Sequence, residues 1–220
     1  MRKKAGIFII AALVIAGGLS YKYRLYGPIV DTIRNKISRL EQNKNDSNNA
    51  NATKVLNDYD YIGSEVDSYK EVAVYSNGKE YVKNYGKNYS KDGYYYGYKW
   101  QCVEHVKRFY YDVKKHKMPD GLGNAKDFFD ISVPQGKLNK KRDLVQYRNG
   151  ESEPPKPDDL IVFTDTKYGH VAIVTEVGED YIEIIQQNVY KKSRVRDELV
   201  YKDGKYYVEG RKPAGWLRKE

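Results

Sequence analysis

The sequence predicts an α+β domain behind an N-terminal apolar segment, and three observations carry that reading. One stretch of helical periodicity lies in the first half of the chain, short apolar runs fill the second, and turn signals divide those runs. The helix is expected over residues 98–115, where Cys102, Val103, Val106, Phe109, Tyr110 and Val113 recur at steps of three and four. The strand-like runs are 160–163, 171–174, 181–185 and 206–208, separated by Lys167-Tyr168-Gly169, Gly178-Glu179-Asp180 and Asp203-Gly204. Parallel crossovers need more chain than these gaps provide, so the strands pair as antiparallel hairpins. The expected architecture is a set of N-terminal helices packed on an antiparallel β-sheet.

Ahead of this domain the chain starts Met1-Arg2-Lys3-Lys4, followed by an apolar run over residues 5–19 and then Lys22 and Arg24. A basic start before an apolar stretch is an export signal, with the N-terminus on the cytoplasmic side. The run is shorter than the roughly twenty residues of a full span, but flanking Lys and Arg can snorkel. Residues 1–24 therefore read as a membrane anchor or signal segment, with an uncleaved anchor favoured because Ala16 and Gly18 make a poor cleavage site. Ile29, Ile33, Ile37 and Leu40 then mark one face of a short helix, and residues 42–53 are polar without large apolar groups. Residues 25–54 read as that helix and a flexible tether. From residue 55 to 220 the texture is globular.

Composition narrows the function. Of 220 residues, 40% are hydrophobic and 31% charged, which excludes a multi-span membrane protein and a mostly disordered chain. The single cysteine, Cys102, excludes a disulfide scaffold and a Cys-rich zinc module. The net charge of +9 sits mainly at the N-terminal end: residues 1–54 hold ten Lys/Arg against three Asp/Glu, residues 55–220 twenty-nine against twenty-seven. A nearly balanced folded part gives no phosphate-binding surface, so nucleic acid is not an expected partner.

Cys102 falls at the start of the expected helix, where backbone N–H groups and the dipole favour a thiolate, so a lowered pKa and a nucleophilic role are expected. A thiol nucleophile needs a base. His105 is three residues along the same helix and reads as a packing residue; His116 lies in a Lys-rich run and reads as surface. His170 opens an apolar strand directly after a turn and is the expected base. The run ending Gln186-Gln187-Asn188 offers two orienting partners, because alternation puts Gln186 and Asn188 on one face, toward the imidazole.

Five motifs then occur in order: Trp100-Gln101-Cys102-Val103-Glu104, Asn124-Ala125-Lys126, Pro157-Asp158-Asp159-Leu160-Ile161-Val162-Phe163, Gly169-His170-Val171-Ala172-Ile173-Val174 and Gln186-Gln187-Asn188. Together they resemble the CHAP family, the cysteine, histidine-dependent amidohydrolases/peptidases of papain-like fold, over roughly residues 85–218. The resemblance implies amide hydrolysis, most commonly of peptidoglycan, with Cys102 as nucleophile, His170 as base and Asn188 as a polar residue near the imidazole. The family's strand often carries Glu where this chain has Gln186, so Gln186→Glu is expected to be neutral or activating. Acidic calcium ligands of some relatives are missing before Cys102, where Asp92 is the only acid after Tyr81; no metal or organic cofactor is expected. Papain-like enzymes take a side-chain oxyanion donor from six residues before the cysteine, here Tyr96, with Gln101 as the competing candidate. The aromatic run from Tyr94 to Trp100 reads either as a packed loop or as a cleft wall that stacks on substrate.

The expected protein is thus a membrane-tethered, extracytoplasmic thiol amidohydrolase acting on peptidoglycan peptides. The alternatives are a glutathionylspermidine-type amidase, a catalytically weak wall-binding module and a scaffold within an export machine.

Overall fold

The computed structural model describes Lys36, residues 58–119 and residues 123–220. The anchor and tether expected over residues 1–54 lie outside the described residues except for Lys36. Among the described residues no helix is long and apolar enough to cross a membrane. All the others fall in one compact unit, Val55–Glu220.

Strands dominate that unit. In chain order they are β1 (Glu65–Tyr69), β2 (Val72–Tyr75), β3 (Lys87–Tyr89), β4 (Tyr95–Tyr98), helix α1 (Cys102–Asp112) and a 3-10 turn (Ala125–Phe128). There follow β5 (Lys137–Asn139), β6 (Leu144–Arg148), β7 (Leu160–Phe163), β8 (His170–Val177), β9 (Tyr181–Ile185), β10 (Arg194–Lys202), β11 (Lys205–Val208) and β12 (Gly215–Arg218). Eight of them form one antiparallel sheet in the order β11-β10-β9-β8-β7-β12-β6-β5, while β1-β2 and β3-β4 make two-stranded hairpins. Every run expected as a strand is one. The expectation of several N-terminal helices packed on the sheet is corrected: among the described residues from 65 to 220 the α-helix is α1 alone, and four strands precede it.

The helix is also shorter than its periodicity suggests. Tyr95–Tyr98 is taken by the pairing of β4 with β3, and Val113 closes the other end. Within α1, Cys102, Val106, Phe109 and Tyr110 share one stripe and are buried against the sheet. Burying groups such as Val106 and Phe109 is worth about 1.5–3 kcal/mol each. The sheet is covered on both faces: Leu160 and Val162 of β7 face the helix side, Ile161 and Phe163 the opposite core with Ile182, Ile184 and Trp216. Two covered faces explain why β7 reads as an unbroken apolar run rather than an alternating one.

Polar anchors fix the helix to the sheet. The Tyr110 hydroxyl donates to the Asp158 carbonyl at 2.9 Å, with the Leu217 carbonyl 3.3 Å away. Arg218 of β12 forms a buried pair with Asp159 at 2.8 Å, and Lys70 and Lys114 hold Asp158. The Asp158-Asp159 motif is therefore structural. His116, expected on the surface, is buried, with its ring 2.9 Å from the Arg142 carbonyl. Its position just past α1 brings it under the core, where Tyr110 packs edge-on against it.

Candidate active site

Cys102 is the first residue of α1, preceded by Gln101 in an extended conformation. Cys102 is 7% exposed, and its sulfur looks onto the N–H groups of Val171, Val103 and Cys102 itself, with the Arg211 charge nearby. Reaching the N–H of Val171 puts Cys102 beside the start of β8, where His170 stands. The expected low thiol pKa is corrected. Burial pushes the Cys102 thiol up, and the surrounding N–H groups and Arg211 only partly offset this. At rest the group is a thiol.

His170 is 6% exposed and pairs in the sheet with Phe163, whose ring lies 6.2 Å away at 32°. The residue before it has to be glycine. Gly169 has φ +70°, and a Cβ there would stand 2.6 Å from Lys126 N and the Phe163 carbonyl. His170 Nε2 lies 2.9 Å from Gln186 Oε1, while Gln186 Nε2 donates to the Lys192 carbonyl at 2.9 Å. The second bond orients the amide, so its oxygen faces the ring and Nε2 carries the proton. Nδ1 is left as the basic nitrogen. Burial, reinforced by the Arg211 charge, lowers the His170 pKa to about 4 against the opposing effects of Gln186 and Asp165. The cleft therefore holds a neutral thiol and a neutral imidazole at rest.

The other expected site residues are placed differently. Asn188 donates to the Tyr81 carbonyl at 2.8 Å and to Gln101 Oε1 at 2.7 Å, and accepts from Asn77 at 2.8 Å. None of these bonds reaches His170. The expectation that Asn188 shares a face with Gln186 assumed a continuing strand, but β9 ends at Ile185 and Asn188 turns to φ +67°. Gln101 lines the cleft, yet its side-chain N–H groups are committed to the carbonyls of Lys83 at 2.6 Å and Tyr81 at 3.3 Å. Tyr96 is no oxyanion donor. Its hydroxyl lies 3.5 Å from Asp112, at the far end of α1 and about 15 Å of helix from Cys102. Trp100 packs on Tyr75, with ring centroids 4.3 Å apart, outside the cleft lining.

Sequence reasoning missed a buried network behind the nucleophile. Glu104, fully buried, pairs with Arg108 at 2.7 Å and accepts from Gln187 at 2.7 Å and Asn88 at 2.8 Å. Gln187 also donates to the Gln101 carbonyl at 3.0 Å. This network ties the first turn of α1 to the end of β9, so the segments bearing Cys102 and Gln186 move as one body. Gln187, between the two residues expected to point at the imidazole, turns instead toward Glu104 and the Gln101 carbonyl. Arg211 was also missed; it borders the cleft from the loop before β12 and is held by Asp165 at 2.9 Å.

Cys102 and His170 open onto a cleft of about 850 Å³ whose wall carries Tyr81, Tyr89, Tyr95 and Tyr98. A helix-start cysteine, a strand-start histidine and a polar residue fixing the imidazole tautomer are the parts of a thiol-dependent hydrolase. Residues 93–188 match the family model described as the CHAP domain. The matched segment is a CHAP domain, a domain of the cysteine, histidine-dependent amidohydrolase/peptidase type.

Similar curated proteins include the trypanothione synthetase of Crithidia fasciculata, 31% identical over 129 residues, 56% of this chain and 20% of that protein. The bifunctional glutathionylspermidine synthetase/amidase of Escherichia coli (strain K12) is 28% identical over 137 residues, 59% of this chain and 20% of that enzyme. The matched region thus spans about one fifth of the length of these relatives.

Proposed function

We propose that this protein is an extracytoplasmic cysteine amidohydrolase/endopeptidase that cleaves amide bonds of peptidoglycan. The observation that carries the chemistry is the His170–Gln186–Lys192 chain of hydrogen bonds, which leaves Nδ1 as the basic nitrogen of a histidine that lines the same cleft as the helix-start thiol. The extracytoplasmic assignment rests on the basic start and apolar run of residues 1–24.

In this reading, Cys102 Sγ attacks the amide carbonyl as His170 Nδ1 takes the thiol proton. Since thiol and imidazole are both neutral at rest, this proton transfer accompanies the attack. The oxyanion forms at the N-terminus of α1, where the Cys102 N–H and the helix dipole can stabilise it. The imidazolium gives its proton to the departing amine, leaving a thioester. Water, deprotonated by the same imidazole, then releases the acid and restores the thiol. Gln186 holds the ring throughout, and Asn188 holds Gln101 and through it the turn that presents Cys102.

A second reading, a glutathionylspermidine-type amidase, is supported by the name of the Escherichia coli relative. Incubating the full-length protein with purified cell walls and, separately, with glutathionylspermidine distinguishes the two. New amino and carboxyl ends in the walls, lost in Cys102→Ala, support peptidoglycan hydrolysis. Release of spermidine with intact walls supports the second reading. Binding to walls without any cleavage would leave a wall-binding module.

A further inference from the structure

Three cations border the cleft on three separate segments. Lys87 opens β3, Lys167 sits in the turn before β8, and Arg211 lies in the loop before β12. Among the described residues lining the cleft there is no Asp or Glu. Composition does not explain this, because residues 55–220 hold twenty-nine Lys/Arg against twenty-seven Asp/Glu. Asp165 partly neutralises Arg211 at 2.9 Å, but neither Lys87 nor Lys167 pairs with a carboxylate among the described residues. Lys167 instead stands 5.2 Å from the centroid of the Tyr168 ring, at the cleft wall.

We propose that the cleft selects amide substrates carrying free carboxylates near the scissile bond and disfavours polyamine amides, with Lys87, Lys167 and Arg211 as the specificity-determining residues. This rests on the thiol-amidohydrolase reading above and names the charge of its substrate. A cleft lined by one sign of charge focuses the field inward, and a bound substrate lies within the screening length of about 8 Å at physiological salt. A carboxylate there meets unpaired ammonium groups; a polyamine meets like charge with no acid to relieve it. Each exposed lysine should contribute about a two- to fivefold preference, so the pair gives roughly four- to twenty-fivefold.

The test uses the full-length protein and two soluble wall peptides that differ only in whether their carboxylates are free or amidated. The free-carboxylate peptide should show the higher kcat/KM, mainly through KM, with the ratio narrowing from about 0.05 M to about 0.5 M salt. Lys87→Gln/Lys167→Gln should abolish most of the preference, and Lys140→Gln, outside the cleft, should keep it. Binding of both peptides to Cys102→Ala, followed calorimetrically, tests selection without turnover. Tighter binding of the free-carboxylate peptide to Cys102→Ala supports the proposal even if wild type cleaves neither peptide, an outcome that would count against the hydrolase reading alone. Equal binding of the two peptides, or a preference that survives in the double variant, overturns it.

Discussion

His170 and Gln186 are joined by a 2.9 Å hydrogen bond whose direction is set by a third group, the Lys192 carbonyl, 2.9 Å from the other end of the same amide. A carboxylate at position 186 could accept from the ring but could not donate to that carbonyl. The neutral amide is therefore matched to its surroundings.

This changes what is expected of Gln186→Glu. Sequence alone suggests a neutral or activating change, since a charged acceptor stabilises imidazolium. In the structure the new carboxylate faces a carbonyl oxygen and loses its donor, costing about 1–3 kcal/mol of stability. The variant should melt lower while its imidazole titrates higher. A melting curve beside the pH dependence of kcat/KM checks both, and an unchanged melting temperature would contradict the role assigned to Lys192.

The neutral resting pair predicts an unusual pH dependence. The acidic limb of kcat/KM should fall near pH 4, because His170 titrates there rather than near 6.5. Alkylation of Cys102 by a small reagent should accelerate only in the alkaline range, because burial raises the thiol. A thiolate–imidazolium pair would instead give a plateau of alkylation below pH 7.

The same group links stability to pH. His170 has its folded pKa depressed to about 4 from 6.5, so between those values the unfolded chain binds more protons. Its effect is absent above pH 6.5, grows as pH falls toward 4 and levels off below, amounting to about 3 kcal/mol of lost stability. Urea denaturation at pH 7 and pH 4.5 should show the loss in wild type and a smaller one in His170→Gln.

Asn188→Ala separates positioning from imidazole tuning. Its bonds go to Gln101, Tyr81 and Asn77, so the variant should loosen the turn before Cys102 and cut kcat by up to about 100-fold. The acidic limb should stay in place, whereas Gln186→Ala should move it. A shifted limb in Asn188→Ala would restore the orienting role expected from sequence.

Cys102→Ala and Cys102→Ser should both lose more than about a thousandfold in wall hydrolysis while keeping the wild-type circular dichroism spectrum. Near-normal activity in either folded variant would remove Cys102 from the reaction.

What was legible in the sequence was whatever periodicity records. The stripe through Cys102, Val106 and Phe109 and the apolar runs of β7, β8 and β9 follow from local pattern alone. The short strands β3 and β5 carry few apolar residues, β4 is a tyrosine run broken by Gly97, and all three exist because a partner strand supplies their hydrogen bonds, which no window of sequence displays. The same limit explains the site. The pairing of His170 with Gln186 could be read because each lies at the end of an apolar strand, while Asn188 turns elsewhere because a left-handed residue after β9 breaks the alternation. Tyr96 failed because its position was counted from the cysteine, whereas β4 sends its hydroxyl toward Asp112. The acidity of Cys102 was misjudged because a helix start is visible in sequence and the depth of its burial is not.

The place of β12 has a consequence for how the chain is made. It lies between β7 and β6, with Trp216 opposite Ile161 on one side and Tyr147 on the other. Residues 144–163 emerge during synthesis long before the strand that must sit between them. At about 5–20 residues per second, the delay from Phe163 to Arg218 is roughly 3 to 11 seconds. Until then β7, the strand paired with the one that bears His170, has a neighbour on one side only. The domain therefore closes only once its last strand has been made, so β7 and β6 must wait apart for the segment that joins them.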